Sequence, residues 1–474
     1  MSCEIGGGGR KHVLLFPYPA QGHMLPMMDL ADQLASRGLD LTILVTPKNA
    51  EILNPLLSVH PGIRTLVLPF PGHPKISQGV ENMKDIGNHG NVPMMNAMGK
   101  FRVGIVEWFK GQEDSIRPVA IVSDFFLGWT ERLAKEVGVP RIAFYPSGVL
   151  LMEVSYYSWK EIDHVLSLDT VEFEELPGRP VFKNEHLPSI VRRYIKSDPD
   201  WEFVKDSMTE GSTSWGLIFN TFHDMEGQYL DHCREKMEHH KVWAVGPLKL
   251  MNKPGKTLAG PRSDVLKWLD ECPDRSVVYV CFGSQKTLGR EQMKALATGL
   301  ELSGSRFLWA VKQATTAAQM EEGFGYVPQG FEERVGKRGK VVRGWVPQEA
   351  VLNHRAVAYF LSHCGWNSVL EAVVGGVGLI AWPMEADQFV NAKILVEERG
   401  VAVIVCEGAD TVPDPNTLAR TIAEALSGDQ SLLSRAKDLS EKAHKAAGAG
   451  GSSAVDLDRL VEDLKQLERA QKDR

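Results

Sequence analysis

A chain of 474 residues is too long for one compact core, so its length predicts two domains. With 43% hydrophobic and 24% charged residues, its composition is that of a soluble globular protein. A net charge of −7 argues against a nucleic-acid partner, which requires a basic surface, and is compatible with a small phosphorylated ligand.

Cysteine usage and the chain ends suggest a compartment. The six cysteines are scattered, with no C-x-x-C pair, as is typical of a reduced, cytoplasmic chain. The N-terminal segment MSCEIGGGGRK lacks the apolar region of a signal peptide, and its GGGG run (6–9) predicts a disordered start. No window of about 18 apolar residues occurs. We expect a monomer that is neither secreted nor anchored by a membrane helix.

The N-terminal half alternates short apolar runs with helical patterns. After the first run, apolar residues recur at helical spacing from Met24 to Ala35, and the pattern ends at Gly38. Continuous apolar strands separated by helices predict a parallel sheet covered on both faces. Between residues 148 and 214 the pattern loosens, which suggests an insertion of loops and short helices. The predicted strands span residues 12–18, 39–47, 64–71, 119–126, 141–147, 216–222 and 242–248.

A second alternating region follows a segment rich in Gly, Pro and Lys. We predict an α/β protein with two doubly wound, Rossmann-like domains at residues 1–249 and 263–452, joined by a linker at 250–262. The tail, 453–474, has apolar residues at helical spacing, among them Val455, Leu460 and Leu464. The strands of the second domain are predicted at 276–284, 306–312, 339–346, 356–363, 378–383 and 400–405.

Two such domains predict a ligand at the carboxyl ends of the strands, in the cleft between the domains. The turn after the first strand, PYPAQGH, is not the G-x-G-x-x-G of a dinucleotide site. The GGVG at 375–378 follows a helix instead of opening one. A P-loop is also absent from the sequence. These observations argue against a nicotinamide or flavin enzyme and against a P-loop ATPase.

The stretch LSHCGWNSVLEAVVGG, residues 361–376, predicts a phosphate site of another kind. A strand is expected to end at His363, and a helix to start near Ser368. Helix N-termini bind anions through unpaired N–H groups, and Gly365 allows the backbone to approach a ligand closely. His363, Asn367 and Ser368 can each donate a hydrogen bond to a diphosphate.

The 44 residues from Trp345 to Gln388, WVPQEAVLNHRAVAYFLSHCGWNSVLEAVVGGVGLIAWPMEADQ, resemble the signature of plant secondary-product glycosyltransferases, the family 1 UDP-glycosyltransferases. The match has no gap; one departure is Val346, where many members have Ala. The resemblance extends over most of the chain and is strongest to a group acting on flavonols and hydroxybenzoates. It implies the GT-B fold, two facing Rossmann-like domains with a cleft between them. It also implies a tail helix that packs back on the N-terminal domain.

The resemblance implies a donor-substrate site for a UDP-sugar in the C-terminal domain, with no further cofactor. Trp345 would stack on uracil, although a structural Trp beside a Pro turn is an alternative. Gln348 and Glu371 would contact the ribose; on spacing alone, SVLE (368–371) is better explained as a capping box. The implied donor residues are Gly22, Ser284, Trp345, Val346, Gln348, His363, Gly365, Trp366, Asn367, Ser368, Glu371, Asp387 and Gln388.

The remaining donor contacts divide between diphosphate and sugar. By resemblance, Ser284 would bind the diphosphate together with His363, Asn367 and Ser368. The alternative for His363 is a histidine at a strand end whose hydrogen bonds are all made within the protein. Trp366, Asp387 and Gln388 would hold the sugar hydroxyls. On spacing alone, Asp387 is better explained as the N-cap of the helix that follows it. Because Gln388 ends the signature, the resemblance favours UDP-glucose over UDP-rhamnose, UDP-galactose or UDP-xylose.

The reaction requires a base for the acceptor hydroxyl. His23 lies in the turn after the first strand, and Asp124 ends a strand of the same sheet. The resemblance pairs them, with Asp124 stabilising the imidazolium that forms on His23. Taken alone, His23 could equally be a polar residue at a helix start. Direct displacement of UDP would invert the anomeric centre.

No metal is expected. The two D-x-D sequences, Asp198–Asp200 and Asp456–Asp458, are interpreted as solvated faces, and no Cys/His cluster occurs. The function predicted is an inverting O-glycosyltransferase that acts on a small phenolic acceptor. Alternatives are a relative using another sugar or a C- or N-linked acceptor, and a non-catalytic UDP-sugar-binding protein. The residues predicted for the acceptor pocket are Met95, Phe125, Phe126, Ser147 and Phe389.

Overall fold

The computed structural model of the chain describes residues 10–237, 241–251, 264–283, 286–314, 317–428 and 430–468. This part forms two parallel sheets flanked by helices and one antiparallel hairpin. The strands are β1 (His12–Phe16), β2 (Asp40–Val45), β3 (Arg64–Val67), β4 (Ala120–Asp124), β5 (Arg141–Tyr145), β6 (Thr170–Glu172), β7 (Val181–Lys183), β8 (Gly216–Phe219), β9 (Val242–Ala244), β10 (Val277–Cys281), β11 (Arg306–Val311), β12 (Gly339–Arg343), β13 (Val357–Ser362), β14 (Gly378–Ala381) and β15 (Ala402–Ile404).

Helices cover both faces of each sheet. They are α1 (Gln21–Ser36), α2 (Asn54–Val59), α3 (Asn91–Gly99), α4 (Arg102–Gly111), α5 (Thr130–Val137), α6 (Val149–Lys160), α7 (Ile162–Ser167), α8 (Ser189–Arg192), α9 (Pro199–Gly211), α10 (His223–Lys236), α11 (Leu248–Met251), α12 (Asp264–Asp270), α13 (Arg290–Leu302), α14 (Ala317–Glu321), α15 (Phe331–Val335), α16 (Gln348–Leu352), α17 (Trp366–Val374), α18 (Gln388–Lys393), α19 (Pro415–Ser427), α20 (Ser431–Ala447) and α21 (Ser452–Gln466).

Each sheet reverses its strand order beside its first strand. The first sheet has the order β3-β2-β1-β4-β5-β8-β9 and the second the order β12-β11-β10-β13-β14-β15, with every pairing parallel. In open α/β sheets ligands bind at the carboxyl ends of the strands, where the order reverses. The ends of β1, β4, β10 and β13 are therefore the places to look for a site.

Every strand predicted from an apolar run is present, but each ends one to four residues earlier than predicted. β1 ends at Phe16, and β4 ends at Asp124, before Phe125 and Phe126. The apolar residues that follow these strands lie in turns, so hydrophobicity alone overestimates the strand length. Those turns carry the residues at the carboxyl edge of each sheet.

The insertion after β5 is more ordered than the expected loops and short helices. It contains α6, with 12 residues, α9, with 13 residues, and the hairpin formed by β6 and β7. Nine residues of α6 are buried, so its sequence lacks the polar face that marks an amphipathic helix. That is why the 3.6-residue pattern did not reveal it.

The C-terminal helix α21 packs on the first sheet. Leu457, Leu460, Val461 and Leu464 are buried in the same apolar cluster as the residues of β1 and β2. The predicted apolar face was wrong at Val455, which is 46% exposed. The chain thus returns from the second sheet to cover the first.

Within the described ranges, no helix combines the length and the apolar character needed to cross a membrane. The predicted GGGG start, most of the predicted linker and the predicted diphosphate ligand Ser284 lie outside the described residues.

Candidate active site

A histidine and an aspartate meet where β1 and β4 end. His23 is the third residue of α1, and Asp124 is the last residue of β4. Nδ1 of His23 lies 2.8 Å from Oδ2 of Asp124, whose side chain is completely buried. The other oxygen, Oδ1, accepts a hydrogen bond from the Phe126 N–H. With its proton on Nδ1, facing the carboxylate, His23 has Nε2 as an acceptor, which a general base requires.

Aromatic rings enclose the His23 imidazole. Phe125 and Phe126 stack on it with ring centroids 5.8 and 5.1 Å away, and the Tyr18 ring meets it edge-on at 5.3 Å. The His23 side chain is nevertheless 20% exposed. A substrate can therefore reach the imidazole, while the carboxylate behind it is sealed from water.

The turn between β13 and α17 is tighter than predicted. The helix begins at Trp366, two residues before the expected start near Ser368, and Gly365 is its N-cap. Cys364 has a left-handed φ of 64°, and its N–H donates to the Ser362 hydroxyl at 3.2 Å. The first N–H groups of α17, which have no partner within the helix, consequently follow His363 closely.

His363 lies between two glycines. A Cβ atom on Gly283 would come within 2.8 Å of the His363 ring, and one on Gly365 within 2.7 Å, so neither position tolerates a side chain without movement. Burial lowers the pKa of His363 to about 4, and the imidazole is therefore neutral at physiological pH. Its Nδ1 is buried and has no hydrogen-bond partner within the described part of the chain. A buried polar atom without a partner is suited to hold a ligand.

Glu371 is the centre of a polar network at the side of α17. Its carboxylate accepts from Nε2 of Gln348 at 2.7 Å and pairs with the Lys249 ammonium. Gln348 Nε2 also lies 3.2 Å from the Ser368 hydroxyl, and its Oε1 accepts from the Tyr279 hydroxyl at 3.2 Å. The capping box expected from spacing is wrong, because Glu371 lies six residues into a helix that starts at Trp366. The carboxylate is instead bound by Gln348 and Lys249.

Trp345 and Val346, which follow β12, differ sharply in exposure. The Trp345 side chain is 84% exposed, whereas Val346 is buried. The alternative of a buried structural Trp is therefore wrong. A large apolar ring left in solvent beside a polar cleft is suited to stack on a flat ligand.

Asp387 and Gln388 lie at the start of α18. Asp387 occupies the N-cap position but makes no capping hydrogen bond; its Oδ2 accepts from Asn391 Nδ2 at 2.7 Å. Burial raises the pKa of Asp387, and hydrogen bonding by Asn391 and the charge of His23 act in the opposite direction. Oε1 of Gln388 accepts from the N–H groups of Met384 and Glu385. Its oxygen is thus engaged, and the amide Nε2 is the group that can face a sugar.

Two hydrogen bonds join the halves of the cleft beside these residues. Nδ2 of Asn367 donates to the Gly22 carbonyl at 3.1 Å, and Nε1 of Trp366 donates to the Asn220 carbonyl at 2.8 Å. The Trp366 indole N–H is therefore engaged by the Asn220 carbonyl, and its backbone N–H bonds the Asp387 carboxylate. Gly22, Trp366 and Asn367, which make these contacts, are themselves predicted site residues.

Two of the five residues predicted for the acceptor pocket are the phenylalanines that stack on His23. Ser147 is buried after β5, and its hydroxyl has no partner within the described residues. Met95 is completely buried in α3. Phe389 stacks on His186 with a centroid distance of 4.3 Å. The structure therefore gathers only part of this set around the imidazole.

The two D-x-D sequences have structural roles. Asp198 caps α9 by accepting from the N–H groups at positions 200 and 201, and Asp200 pairs with Lys75 at 2.6 Å. Asp456 is buried and pairs with Arg234 at 2.7 Å. The interpretation as solvated faces is therefore wrong for Asp456, whereas Asp458 is 67% exposed, as predicted. Among the described residues, no three His, Cys, Asp or Glu side chains are placed to hold a metal ion.

The sequence did not reveal Lys249, which contacts Glu371, or Asn220, which contacts Trp366. Asn220 directly follows β8, so the strand-end rule that identified Asp124 would also have found it. Lys249 lies in α11, several residues after β9 ends. No local pattern marks it as a partner for a residue 122 positions away.

Comparison with known proteins shows the family. Residues 255–427 match the family model UDP-glucoronosyl and UDP-glucosyl transferase, and residues 165–250 match the model Glycosyltransferase, N-terminal domain. The chain is 46% identical to UDP-glycosyltransferase 89A2 of Arabidopsis thaliana over 96% of both chains. It is 45% identical to flavonol 3-O-glucosyltransferase UGT89B1 of the same plant over 97% of both chains.

The solved structures agree with the sequence comparison. The crystal structure of Arabidopsis thaliana UGT89C1 complexed with UDP-L-rhamnose superposes with a TM-score of 0.79 at 38% identity, covering 96% of this chain and 99% of that chain. Both the predicted fold and the predicted resemblance are therefore confirmed. The chain belongs to the UDP-glucoronosyl and UDP-glucosyl transferase family and is a UDP-glycosyltransferase with the GT-B fold.

Proposed function

We propose that the protein transfers glucose from UDP-glucose to a hydroxyl group of a small phenolic acceptor, of the flavonoid or hydroxybenzoate type, with inversion and without a metal. The observation that carries the proposal is the His23–Asp124 pair, which lies at the carboxyl ends of β1 and β4. The Gly22–Asn367 hydrogen bond holds the residue before His23 against the start of α17. A base and an anion site thus occupy one cleft.

The nucleotide would lie along the C-terminal half. The exposed Trp345 ring offers a face for uracil, next to the buried Val346. Glu371 would accept hydrogen bonds from the ribose hydroxyls, with Gln348 beside it. Because Lys249 already pairs with this carboxylate, a bound ribose shares or displaces that cation.

The diphosphate would lie against the turn before α17. Gly365 gives close access to the helix N-terminus, where Asn367 and Ser368 supply side-chain donors. His363, whose Nδ1 has no partner in the described structure, adds a further hydrogen bond. Ser284, which lies outside the described residues, is proposed as another donor. Hydrogen bonds to a charged group contribute about 1.5–3 kcal/mol each.

The sugar would then reach the edge of the cleft where the domains meet. The Asp387 carboxylate can accept from its hydroxyls and the Gln388 amide can donate, with Trp366 beside them. The charge of His23 acts to lower the pKa of Asp387, which supports a sugar site near the base. The anomeric carbon would then lie on the side of His23.

The chemistry follows from this arrangement. Nε2 of His23 takes the proton of the acceptor hydroxyl as its oxygen forms a bond to the anomeric carbon. The bond from that carbon to the diphosphate oxygen breaks, and UDP leaves with the negative charge, stabilised at the start of α17. Asp124 holds the imidazole ring and stabilises the imidazolium. Attack from the face opposite UDP inverts the configuration.

The acceptor would lie on the rings around His23. Phe125 and Phe126 offer apolar faces to a flat phenol, and the unpartnered Ser147 hydroxyl offers one hydrogen bond. Met95 and Phe389 are buried behind this surface or packed on other residues, so their contribution would be to its shape. The pair of a base and its carboxylate argues against a non-catalytic sugar-binding role. Scattered cysteines, free where described, fit a cytoplasmic enzyme.

Glucose is proposed as the donor sugar because the 45%-identical relative is named a glucosyltransferase and the signature ends in Gln388. UDP-rhamnose is the second candidate, because UGT89C1 was crystallised with UDP-L-rhamnose. The test is UDP release from UDP-glucose, UDP-rhamnose, UDP-galactose and UDP-xylose at equal concentrations, with a panel of flavonols and hydroxybenzoates. The highest kcat/KM for UDP-glucose, with a β-glucoside as product, supports the proposal; a higher value for another donor overturns its choice of sugar.

A further inference from the structure

The loop that carries the sugar contacts is held by the opposite half of the protein. This donor loop, residues 384–388, connects β14 to α18 and includes Asp387 and Gln388. The Ala386 N–H donates to the Ser189 hydroxyl at 2.7 Å, and the Ser189 N–H donates to the Ala386 carbonyl at 3.3 Å. Ser189 is the first residue of α8 in the insertion and is almost fully buried. Both backbone polar groups of Ala386 are therefore bound to a single residue.

Ala386 is held in an unfavourable conformation. Its φ is 58°, in the left-handed region that a residue with a Cβ seldom adopts. Such a conformation persists where neighbouring contacts stabilise it. It turns the chain immediately before Asp387, and Gln388 Oε1 closes the same loop on the N–H groups of Met384 and Glu385. The direction of both sugar-facing side chains depends on this turn.

Two further contacts from the insertion flank Ser189. Arg193 pairs with Glu385 at 3.0 Å, and the His186 ring stacks on Phe389 with planes 12° apart. Residues 193, 189 and 186 thus contact positions 385, 386 and 389, which lie before, within and after the turn. The insertion therefore contacts the donor loop on both sides of Asp387 and Gln388.

We infer that Ser189 is a positioning residue for the donor sugar, which acts by holding Ala386 in its left-handed turn and so directing Asp387 and Gln388. The inference rests on the proposed function, in which those two side chains contact the sugar. Discrimination between UDP-sugars is then set partly by the half of the protein that does not bind the nucleotide. The uracil, ribose and diphosphate contacts lie outside this loop and are independent of Ser189.

The experiment compares Ser189→Ala with Ser189→Ala/Ala386→Gly, because glycine adopts a positive φ without strain. We expect Ser189→Ala to lower the kcat/KM for the preferred UDP-sugar about three- to tenfold, as for one lost hydrogen bond, and to narrow its preference over the other three sugars. The inhibition constant of UDP stays at the wild-type value. Ala386→Gly in the same chain restores the preference.

A matched control is Ser158→Ala, which removes another buried serine hydroxyl, bonded to the Val154 carbonyl within α6. It should leave the sugar preference unchanged. If Ser189→Ala does not fold, the sugar preference is compared between Ser189→Thr, which keeps the hydroxyl acceptor, and Ser189→Cys, whose thiol is a weaker acceptor.

A Ser189→Ala or Ser189→Cys variant with the sugar preference of the wild type overturns the inference. So does a Ser189→Ala/Ala386→Gly variant that regains folding stability without regaining the sugar preference. An equal loss in UDP affinity also overturns it, because the loop would then act on the whole donor site. Absence of transfer by the wild-type protein from every UDP-sugar tested contradicts the proposed function instead.

Discussion

The indole N–H of Trp366 donates to the backbone oxygen of Asn220 at 2.8 Å, and this bond ties the first residue of α17 to the end of β8. Trp366 belongs to the nucleotide half, and Asn220 to the half that holds His23. Asn220 Oδ1 in turn accepts from the Leu248 N–H at 3.1 Å. The contact between these two halves near His23 therefore rests on a hydrogen bond within the protein.

Trp366→Phe keeps an aromatic ring and removes this bond. We expect the free energy of unfolding to fall by about 1 kcal/mol, and kcat to fall more than UDP affinity, because the two halves lose register. Urea denaturation and UDP titration measure both. The control is Trp382→Phe, which removes an indole bond to the Gly408 carbonyl within one half. Equal losses of kcat in the two variants would contradict the cross-cleft role.

Trp345→Ala separates a ligand contact from a structural one. Because the ring is 84% exposed, its removal should change the free energy of unfolding by less than about 0.5 kcal/mol. The loss of stacking should weaken UDP binding by about 1–3 kcal/mol. Calorimetric titration with UDP is the measurement, and Tyr326→Ala, another exposed aromatic ring of the same half, is the control. An unchanged affinity for UDP would show that Trp345 does not contact the nucleotide.

Glu226 predicts a pH dependence of stability. It is completely buried and accepts from the N–H groups of Val149 and Leu150 at the start of α6. Burial raises the pKa of Glu226 from 4.5 to about 7. Between pH 4.5 and about 7, Glu226 is protonated in the folded protein and ionised in the unfolded chain. The contribution of protonated Glu226 to the free energy of unfolding is therefore fully present in acid and is lost as the pH rises through 7.

Glu226→Gln removes the titrating group. Its free energy of unfolding, relative to wild type, should increase from pH 5 to pH 8 by at most about 3 kcal/mol. Chemical denaturation at the two pH values gives the difference. If the free energy of unfolding changes equally in the two proteins between pH 5 and pH 8, Glu226 does not change its protonation in this range.

Asp124→Asn tests the carboxylate behind the base. The substitution keeps the size of a completely buried side chain but cannot stabilise an imidazolium. We expect kcat to fall by about 10- to 10³-fold, less than on loss of His23 itself, with UDP affinity near the wild-type value. Steady-state kinetics and UDP titration provide the two numbers. A kcat at the wild-type level would exclude any role for the charge.

The sequence predicted the sheets well because fully buried parallel strands are continuous apolar runs. It failed where burial hides periodicity, as in α6, and where strand-like residues continue into turns, as at Phe125. A run of apolar residues records burial and not hydrogen bonding. Boundaries therefore require the structure even when the elements themselves do not.

The candidate site was predictable to the extent that it is local. The turn from His363 to Ser368 and the strand end at Asp124 lie in short segments with a recognisable chemistry. Contacts such as Lys249 with Glu371 and Ser189 with Ala386 join residues 122 and 197 positions apart. Only the packing of the insertion and of α11 against the second half creates them, so no spacing rule reveals them.

The most direct test of the account is the kcat of His23→Ala for UDP release with a flavonol acceptor, measured together with the affinity for UDP. If His23 takes the acceptor proton, kcat should fall by about 10²–10⁴-fold, while UDP affinity stays near wild type because the nucleotide contacts lie on the other half of the cleft. A His23→Ala variant that keeps the wild-type kcat with the same flavonol would contradict the account, because the acceptor hydroxyl would then lose its proton without the imidazole.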